Sequence, residues 1–522
     1  MDKMKAPGVF IVEKNAFPNS VVEVATAVPA FIGYTEKADD NGKSLLNKPW
    51  RITSLSEFQT YFGFGPAPIF SFAKIDQTAS SPAAAPVAAF FDEEKNGYSL
   101  MWDSRKYLLY YSMLLFFQNG GGPCYIVSVG DYTAEIAADK LQAAIDLLMA
   151  EQEPTMVIIP EVVRLPPADC IAVQRAVVVH CGGKMRNRFA ILDIHEGDKG
   201  RQGPGGDVIE KFRDGVGNKY LDSAAAYYPW LNTSILQNQE VSYENISNKE
   251  LLQDLLQTPL RAEMNRLVAK GEKTKAIAAL IEQVDNITKD WTEDPGVKAE
   301  EVSIYKTRLD KILRNNFPLY VRILSAITTC LNLLPPAAAV AGIYTRVDAS
   351  RGVWKAPENV SLNAVISPSV DITDEEREAL NVSPQGKSIN VIRTFIGEGV
   401  LVSGARTLDG NPDRREIHVR RTMIMLEESI KLAAKALVLE KNDANTWVTL
   451  KSMIRNFLNS VWKRGGLSGA TPDDAFSVQV GLGETMTAEE ILEGILRVTV
   501  KVAISRPAEF VEITFRQRMQ TS

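Results

Sequence analysis

Histidine is the scarcest chemistry-bearing residue in this chain. His180, His195 and His418 are all that 522 residues contain, which leaves histidine-based acid–base chemistry few arrangements. Cysteine is nearly as rare. Cys124, Cys170, Cys181 and Cys330 lie within or beside apolar runs without CxxC spacing, a pattern of buried reduced thiols rather than of a disulfide framework or a zinc ribbon. Neither GxSxG nor HExxH occurs, so the nucleophile-elbow and zincin readings have no support. No run of about 18 apolar residues is present. The opening MDKMKAPGVF meets a proline at once, so synthesis in the cytoplasm without a signal peptide, and no direct membrane insertion, are expected. Excess charge is also missing. A formal charge of −6 with interspersed signs points to neither nucleic acid nor membrane as the main partner.

What is present is a composition that folds: 45% hydrophobic and 23% charged residues are ordinary for a globular protein, and the length suits several domains. The order of elements suggests which kind. Val9–Glu13, carrying Val9, Phe10, Ile11 and Val12, is a short strand followed by Asn15-Ala16-Phe17-Pro18-Asn19, and it needs a sheet edge from elsewhere. From Ala30 strands and helices alternate: 30–34, a capped helix from Ser54, an apolar helix 105–117 stopped by Asn119-Gly120-Gly121-Gly122-Pro123, then strands near 124–129, 156–159 and 189–193 with helices at 141–150 and 168–181 between them. This rhythm predicts a mainly parallel sheet covered on both faces. Two stretches interrupt it. Residues 66–89, rich in Pro, Ala and Ser, read as a surface excursion, and Gly197–Gly206 opens a second one. Residues 247–317 then read as helices, opened by a capping box at Ser247-Asn248-Lys249-Glu250 and ended by Pro318.

The C-terminal third has another rhythm, that of an α+β domain. A long helix is expected over 417–439 and another over 444–463, the latter capped by Asp443, striped by Trp447, Leu450, Ile454, Phe457, Leu458 and Val461, and stopped by Gly465-Gly466. A capping box at Thr487-Ala488-Glu489-Glu490 precedes a strand in which Val498, Val500 and Val502 alternate with polar residues. After Pro507 a final strand alternates Phe510, Val511, Ile513 and Phe515 with polar positions. Like the first strand it lies outside any longer context, so both termini are candidates for strand exchange, with Val498, Val500 and Val502 on the receiving strand.

Local signals for chemistry are weak. Gly386-Lys387-Ser388 resembles the end of a P-loop, but Asn381 stands where the first glycine belongs. Gly397-Glu398-Gly399 lacks the third glycine of a dinucleotide fingerprint, Val402 taking its place, and reads as a turn. Asp193, His195, Glu196 and Asp198 are each capable of coordination, yet their spacing closes no ligand set, and a solvated loop is the plainer reading. The glycines at 120–122 close a helix instead of opening one, which is the wrong end for anion binding.

Several segments, in order, resemble the phage tail sheath family, which includes the sheaths of extracellular contractile injection systems. They are Ala6-Pro7-Gly8-Val9-Phe10-Ile11, Thr26–Gly33, Phe116–Gly121, and above all Leu334-Pro335-Pro336 leading through Gly342 and Asp348 to Arg351-Gly352-Val353-Trp354-Lys355-Ala356-Pro357. Ile389–Arg393, Gly404–Leu408, Arg420-Arg421 and Arg506–Phe510 continue the resemblance. Ser403 departs from it where an aromatic residue is expected, and about 63–106 and 201–317 are not covered.

The resemblance implies an arm over 1–28, an outer α/β domain over 29–357 with those two insertions, an inner α+β domain over 358–505, and a strand arm over 506–522. It implies a structural subunit with no enzymatic activity and no cofactor. Such a subunit forms a helical homo-oligomer of stacked hexameric rings around an inner tube protein, with baseplate and tail-terminator proteins and paralogous sheath subunits as further partners. Arms that complete sheets on neighbouring subunits stay paired while domains rotate and slide, and a kinetically trapped extended state supplies the work in place of ATP. The particle is a phage tail or an injection device released outside the cell. Lys463 and Arg464 are candidates for a tube contact, or simply cations complementing a helix dipole. Two other readings stay open: an α/β enzyme with its site at the C-terminal edge of the sheet, and another structural tail component.

Overall fold

The computed structural model describes residues 21–75, 87–203, 205–292, 298, 300–381, 386–437, 440–504 and the backbone of 510–518. The arm residues Val9, Phe10, Ile11 and Val12 therefore lie outside the described residues. The chain divides into two compact units, one of residues 27–346 with 357–410 and the other of 1–26, 347–356 and 411–522.

The larger unit is built on a nine-stranded sheet. In chain order its strands are β1 (Pro29–Gly33), β2 (Trp50–Ile52), β3 (Cys124–Ser128), β4 (Met156–Ile158), β5 (Phe189–Asp193), β6 (Ala224–Tyr228), β7 (Val360–Ser361), β8 (Asn390–Phe395) and β9 (Gly399–Ser403). Across the sheet they run β7-β9-β8-β6-β5-β4-β1-β3-β2. Strands β3, β1, β4, β5, β6 and β8 are mutually parallel, while β2, β9 and β7 join antiparallel at the edges. Every residue of β1, β3, β4, β5 and β6 is buried, as a parallel sheet with both faces covered requires.

The helices of this unit include α1 (Leu55–Phe62), α2 (Leu109–Gln118), α3 (Ala138–Leu147), α4 (Pro167–Val179), α5 (Val208–Gly215), α6 (Lys249–Lys270), α7 (Lys275–Asp285), α8 (Val302–Asn316) and α9 (Pro318–Leu331). Helix α10 (Ala337–Arg351) follows, and the chain passes into the smaller unit after Arg346. Ser54 caps α1 as expected, its hydroxyl accepting from the Glu57 amide at 3.2 Å.

Several expectations are corrected here. Residues 201–317 are not wholly an insertion, because β6 within them is a central strand. The excursion over 66–89 holds strand Phe70–Lys74, which pairs with Gly97–Trp102 in a small antiparallel sheet. Ser247 does not cap α6. Its hydroxyl is turned to Phe70 O and Asp103, and Asn248, which stands at the cap position, makes no capping bond. Pro318 does end α8, which stops at Asn316 with Phe317 extended before the proline, but the chain does not leave helix there. Pro318 is the first residue of α9, where its missing N–H costs no helical bond. The segment 358–410, expected in the C-terminal domain, supplies β7, β8 and β9 to the nine-stranded sheet.

The smaller unit packs α12 (Ile417–Lys435) and α13 (Ala444–Lys463) with a three-stranded antiparallel sheet of β10 (Phe476–Gln479), β11 (Ile495–Ala503) and β12 (Phe510–Arg518) in that order. Between α10 and these helices the chain forms α11 (Asp374–Asn381), which belongs to the larger unit. Asp443 caps α13 by accepting from the Asn445 and Thr446 amides, and Gly465 follows the helix with φ of 81°. The core of this unit joins Leu450, Ile454, Leu458 and Val461 of α13 to Leu426 and Ile430 of α12 and to Val498, Val500 and Val502 of β11.

Candidate functional site

The residues that looked most like chemistry in the sequence are occupied with structure. Among the described residues no group of three or more His, Cys, Asp or Glu side chains is placed to hold a metal ion. Asp193 ends β5 and accepts the Ala337 amide at 2.8 Å, so it caps α10. Burial pushes its carboxyl up to about 7, against the lowering effect of that amide. The His195 ring bonds Leu165 O at 3.1 Å, and Glu196 pairs with Lys199. His180 is buried beside Arg188, and burial, helped by that cation, takes its imidazole down to about 4. The P-loop-like Lys387 reaches back to Arg213 O, and Ser388 to Asn381 O. Cys124, Cys170 and Cys181 are buried free thiols, with Cys330 half-buried.

The residues chosen for assembly fare differently. In β11, Val498, Val500 and Val502 point into the core, and β12 pairs with β11 over nine residues: Val498 faces Phe515, Val500 faces Ile513, and Val502 faces Val511, with Phe510 opposite Ala503. The last strand thus has a sheet, contrary to the impression of an orphan strand, and that sheet is the one holding the receiving valines. Its opposite edge is β10, with Phe476 facing Val502.

The long motif splits into two working parts. Pro335 and Pro336 lead into α10, and Pro336 O accepts from Val340 in its first turn. Gly342 lies where α10 meets the end of α2. A Cβ there would be 2.6 Å from Phe116 O and 2.8 Å from Asn119 Cβ. Beyond Arg346 the motif belongs to the smaller unit until Pro357 returns to the larger one. Gly352, at φ of 90°, turns the chain after Arg351 beneath the Trp354 ring, and Gly466 lets that ring approach α13's end, since a Cβ at 466 would lie 2.9 Å from it.

Arg464, proposed from sequence together with Lys463, is engaged within its own unit. Its guanidinium sits 5.0 Å from the Trp354 ring centre and pairs with Glu23. Lys463 is exposed in the last turn of α13. What sequence reasoning overlooked is an ion pair between two residues it had quoted without a role. Asp348 on α10 and Arg421 on α12 are each 4% exposed and form two hydrogen bonds, at 3.0 and 2.7 Å. Thr26 joins them by donating its hydroxyl to Asp348 at 2.6 Å and accepting from Arg421 on its carbonyl at 2.9 Å. Three segments remote in sequence are tied at this point. The signal available beforehand was slight: Asp348 stands between Val347 and Ala349, and Arg421 between Arg420 and Thr422.

Comparison with known families bears directly on this arrangement. A model of the phage tail sheath protein central domain matches residues 134–408, and one of the phage tail sheath C-terminal domain matches residues 409–518. The chain belongs to the phage tail sheath family. The junction of the two matches falls beside the passage between units at Gly410. A stretch of 138 residues, 26% of this sheath chain, is 27% identical to the tail sheath protein of Salmonella phage ViI and spans 21% of that protein's length. Among solved structures, the sheath chain is similar to a chain of the anti-feeding prophage baseplate, with 26% identity, a TM-score of 0.55 and coverage of 99% of this chain and 100% of that one. It is also similar to a chain of the contracted anti-feeding prophage helical sheath, with 26% identity, a TM-score of 0.55 and coverage of 98% and 99%. A chain of the contracted PVC sheath complex, an extracellular contractile injection system, shares the fold at 24% identity, a TM-score of 0.54 and coverage of 99% and 98%. No helix among the described residues is long and apolar enough to cross a membrane.

Proposed function

We propose that this sheath chain is a structural subunit that polymerises into a helical cylinder around an inner tube protein, and that shortening of the cylinder drives the tube through a target envelope without catalysis or a cofactor. The proteins it is similar to are described as a helical sheath in a contracted state and as part of a baseplate, which supports a second copy of this chain and baseplate proteins as partners. Tail-terminator proteins and paralogous sheath chains are proposed on the same footing.

The observation that carries the reading is the register of β12 on β11. A strand held at a sheet edge over nine residue pairs is joined by backbone hydrogen bonds of about 0.5–1.5 kcal/mol each. The same ladder forms equally well with a strand from another copy. We therefore assign Phe510, Val511, Ile513 and Phe515 to an exchanged C-terminal arm, and Val9, Phe10, Ile11 and Val12 to its N-terminal counterpart. Arms held this way keep subunits linked while the larger, outer units change neighbours. The smaller, inner unit faces the tube, with exposed Lys463 as the contact and Arg464 holding the helix end in place.

Negative-stain microscopy of the purified protein tests the proposal. Striated hollow cylinders are expected, and a monodisperse monomer at all concentrations would sink it.

A further inference from the structure

The six parallel strands run β3-β1-β4-β5-β6-β8, so the chain leaves β1 toward β3 on one side and returns past it to β4 on the other. In open α/β sheets this reversal opens a crevice at the carboxyl ends of the strands, and ligands bind there. The helix that leads from the β1 excursion to β3 is α2, whose first-turn amides face the crevice. Free amides at a helix start, with the helix dipole behind them, favour an anion.

The crevice already contains a carboxylate. Glu161, in the turn that follows β4, accepts from the Leu108 amide at 3.2 Å and the Leu109 amide at 2.9 Å through Oε1. Its side chain is fully buried, and its second oxygen, Oε2, has no hydrogen-bond partner. Gly33, the last residue of β1, makes room for it: a Cβ at 33 would fall 2.3 Å from Oε2 and 2.8 Å from Cδ. A glycine at the end of the first strand, amides at the start of a helix and a buried carboxyl group between them are the parts of an anion site, with the ligand supplied by the chain itself.

We propose that the crevice between β1 and β4 is an anion-binding site whose resident ligand is the protein's own Glu161 carboxylate, and that it takes up a small free carboxylate once that side chain is removed. Burial drives the Glu161 carboxyl up to about 7, so desolvation outweighs the amide hydrogen bonds and the group keeps its proton below that pH. The backbone amides of Leu109, Glu161, Leu108 and Tyr34 partly offset the desolvation. Filling the crevice from within leaves α2 anchored to the turn after β4, so the glutamate acts as a positioning residue for that helix.

The test uses the full chain with Glu161→Ala, whose cavity matches formate or acetate. Thermal unfolding and hydrogen exchange of α2 are read with formate, acetate or chloride at equal ionic strength. The expected result is a lowered midpoint and faster α2 exchange in chloride, with a saturable recovery of several degrees in formate that the wild-type protein does not show. Equal recovery in chloride would overturn the proposal, and so would a variant as stable as the wild type. If Glu161→Ala does not fold in chloride, its refolding yield in formate reads the same quantity, and failure in both anions counts against the site. Glu161→Gln fills the space and keeps an acceptor oxygen, so it is expected to fold and to gain nothing from formate. A formate response in that variant would likewise overturn the assignment.

Discussion

Arg421 meets Asp348 in a two-pronged ion pair at 3.0 and 2.7 Å, with both side chains 4% exposed. Thr26 closes the group, so the start of the chain, the end of α10 and the first half of α12 share one buried network. A buried pair loses much of its Coulomb gain to desolvation, but removing one member strands the other without water.

That asymmetry sets the first prediction. Arg421→Met or Asp348→Asn alone should destabilise the smaller unit by about 3–5 kcal/mol, measured by hydrogen exchange of the α12 amides. Replacing both partners with apolar residues should cost clearly less than the sum of the single changes. A sum that is simply additive would mean that the two side chains do not depend on each other.

Gly342 makes a second case. It sits inside α10, where glycine is a poor helix former, yet Phe116 O and Asn119 leave no space for a Cβ. Gly342→Ala should therefore destabilise the larger unit by about 1–3 kcal/mol despite its better helix propensity. Chemical denaturation checks it, and a stabilised variant would show that α2 and α10 shift apart freely.

Strand exchange has a covalent test. Thr499 and Thr514 stand opposite each other in the β11–β12 ladder, and opposed residues of an antiparallel pair lie close enough for a disulfide. With Thr499→Cys and Thr514→Cys, oxidation of assembled sheaths should give a ladder of multimers on a non-reducing gel. A band of monomer only, from intact cylinders, would show that β12 stays within its own chain.

Asp193 carries a pH prediction. Burial raises its folded-state carboxyl to about 7 from an ordinary value of 3.8, so the folded protein holds a proton that the unfolded chain releases across that window. Its contribution to stability is complete below the lower value and is lost as pH rises through about 7. Asp193→Asn keeps an acceptor for the Ala337 amide without the charge. Urea midpoints should match the wild type near pH 3 and exceed it at pH 8. An equal shortfall of the variant at both values would locate the importance of Asp193 in something other than its charge.

How far the sequence reached depends on how local each signal is. Helix α13 was legible to the residue, because its apolar stripe lies within its own span and its Asp443 cap and glycine stop lie within two residues of its ends. The capping box at Thr487 was equally local, and it forms. Ser247 carried the same signal, but Phe70 O and Asp103 compete for its hydroxyl from another part of the chain. Strand β6, Ala224-Ala225-Ala226-Tyr227-Tyr228, is alanine-rich and has little strand propensity of its own. Its place between β5 and β8 makes it a strand by burial. Glu161 was invisible, since a glutamate after a proline shows nothing of the helix start it will meet.

The sequence by itself determined the alternation of strands and helices, the strong helices of the C-terminal third, the thinness of its catalytic repertoire and the resemblance to sheaths, all of which rest on neighbours along the chain or on ordered motifs. Only the tertiary structure decided that residues 360–403 join the large sheet, that Asp348 finds Arg421, that the receiving valines and the last strand share one ladder, and that Glu161 fills the crevice beside Gly33. Those contacts join segments separated by tens to hundreds of residues, where hydrogen-bond satisfaction and the exclusion of water, rather than local propensity, select the partner.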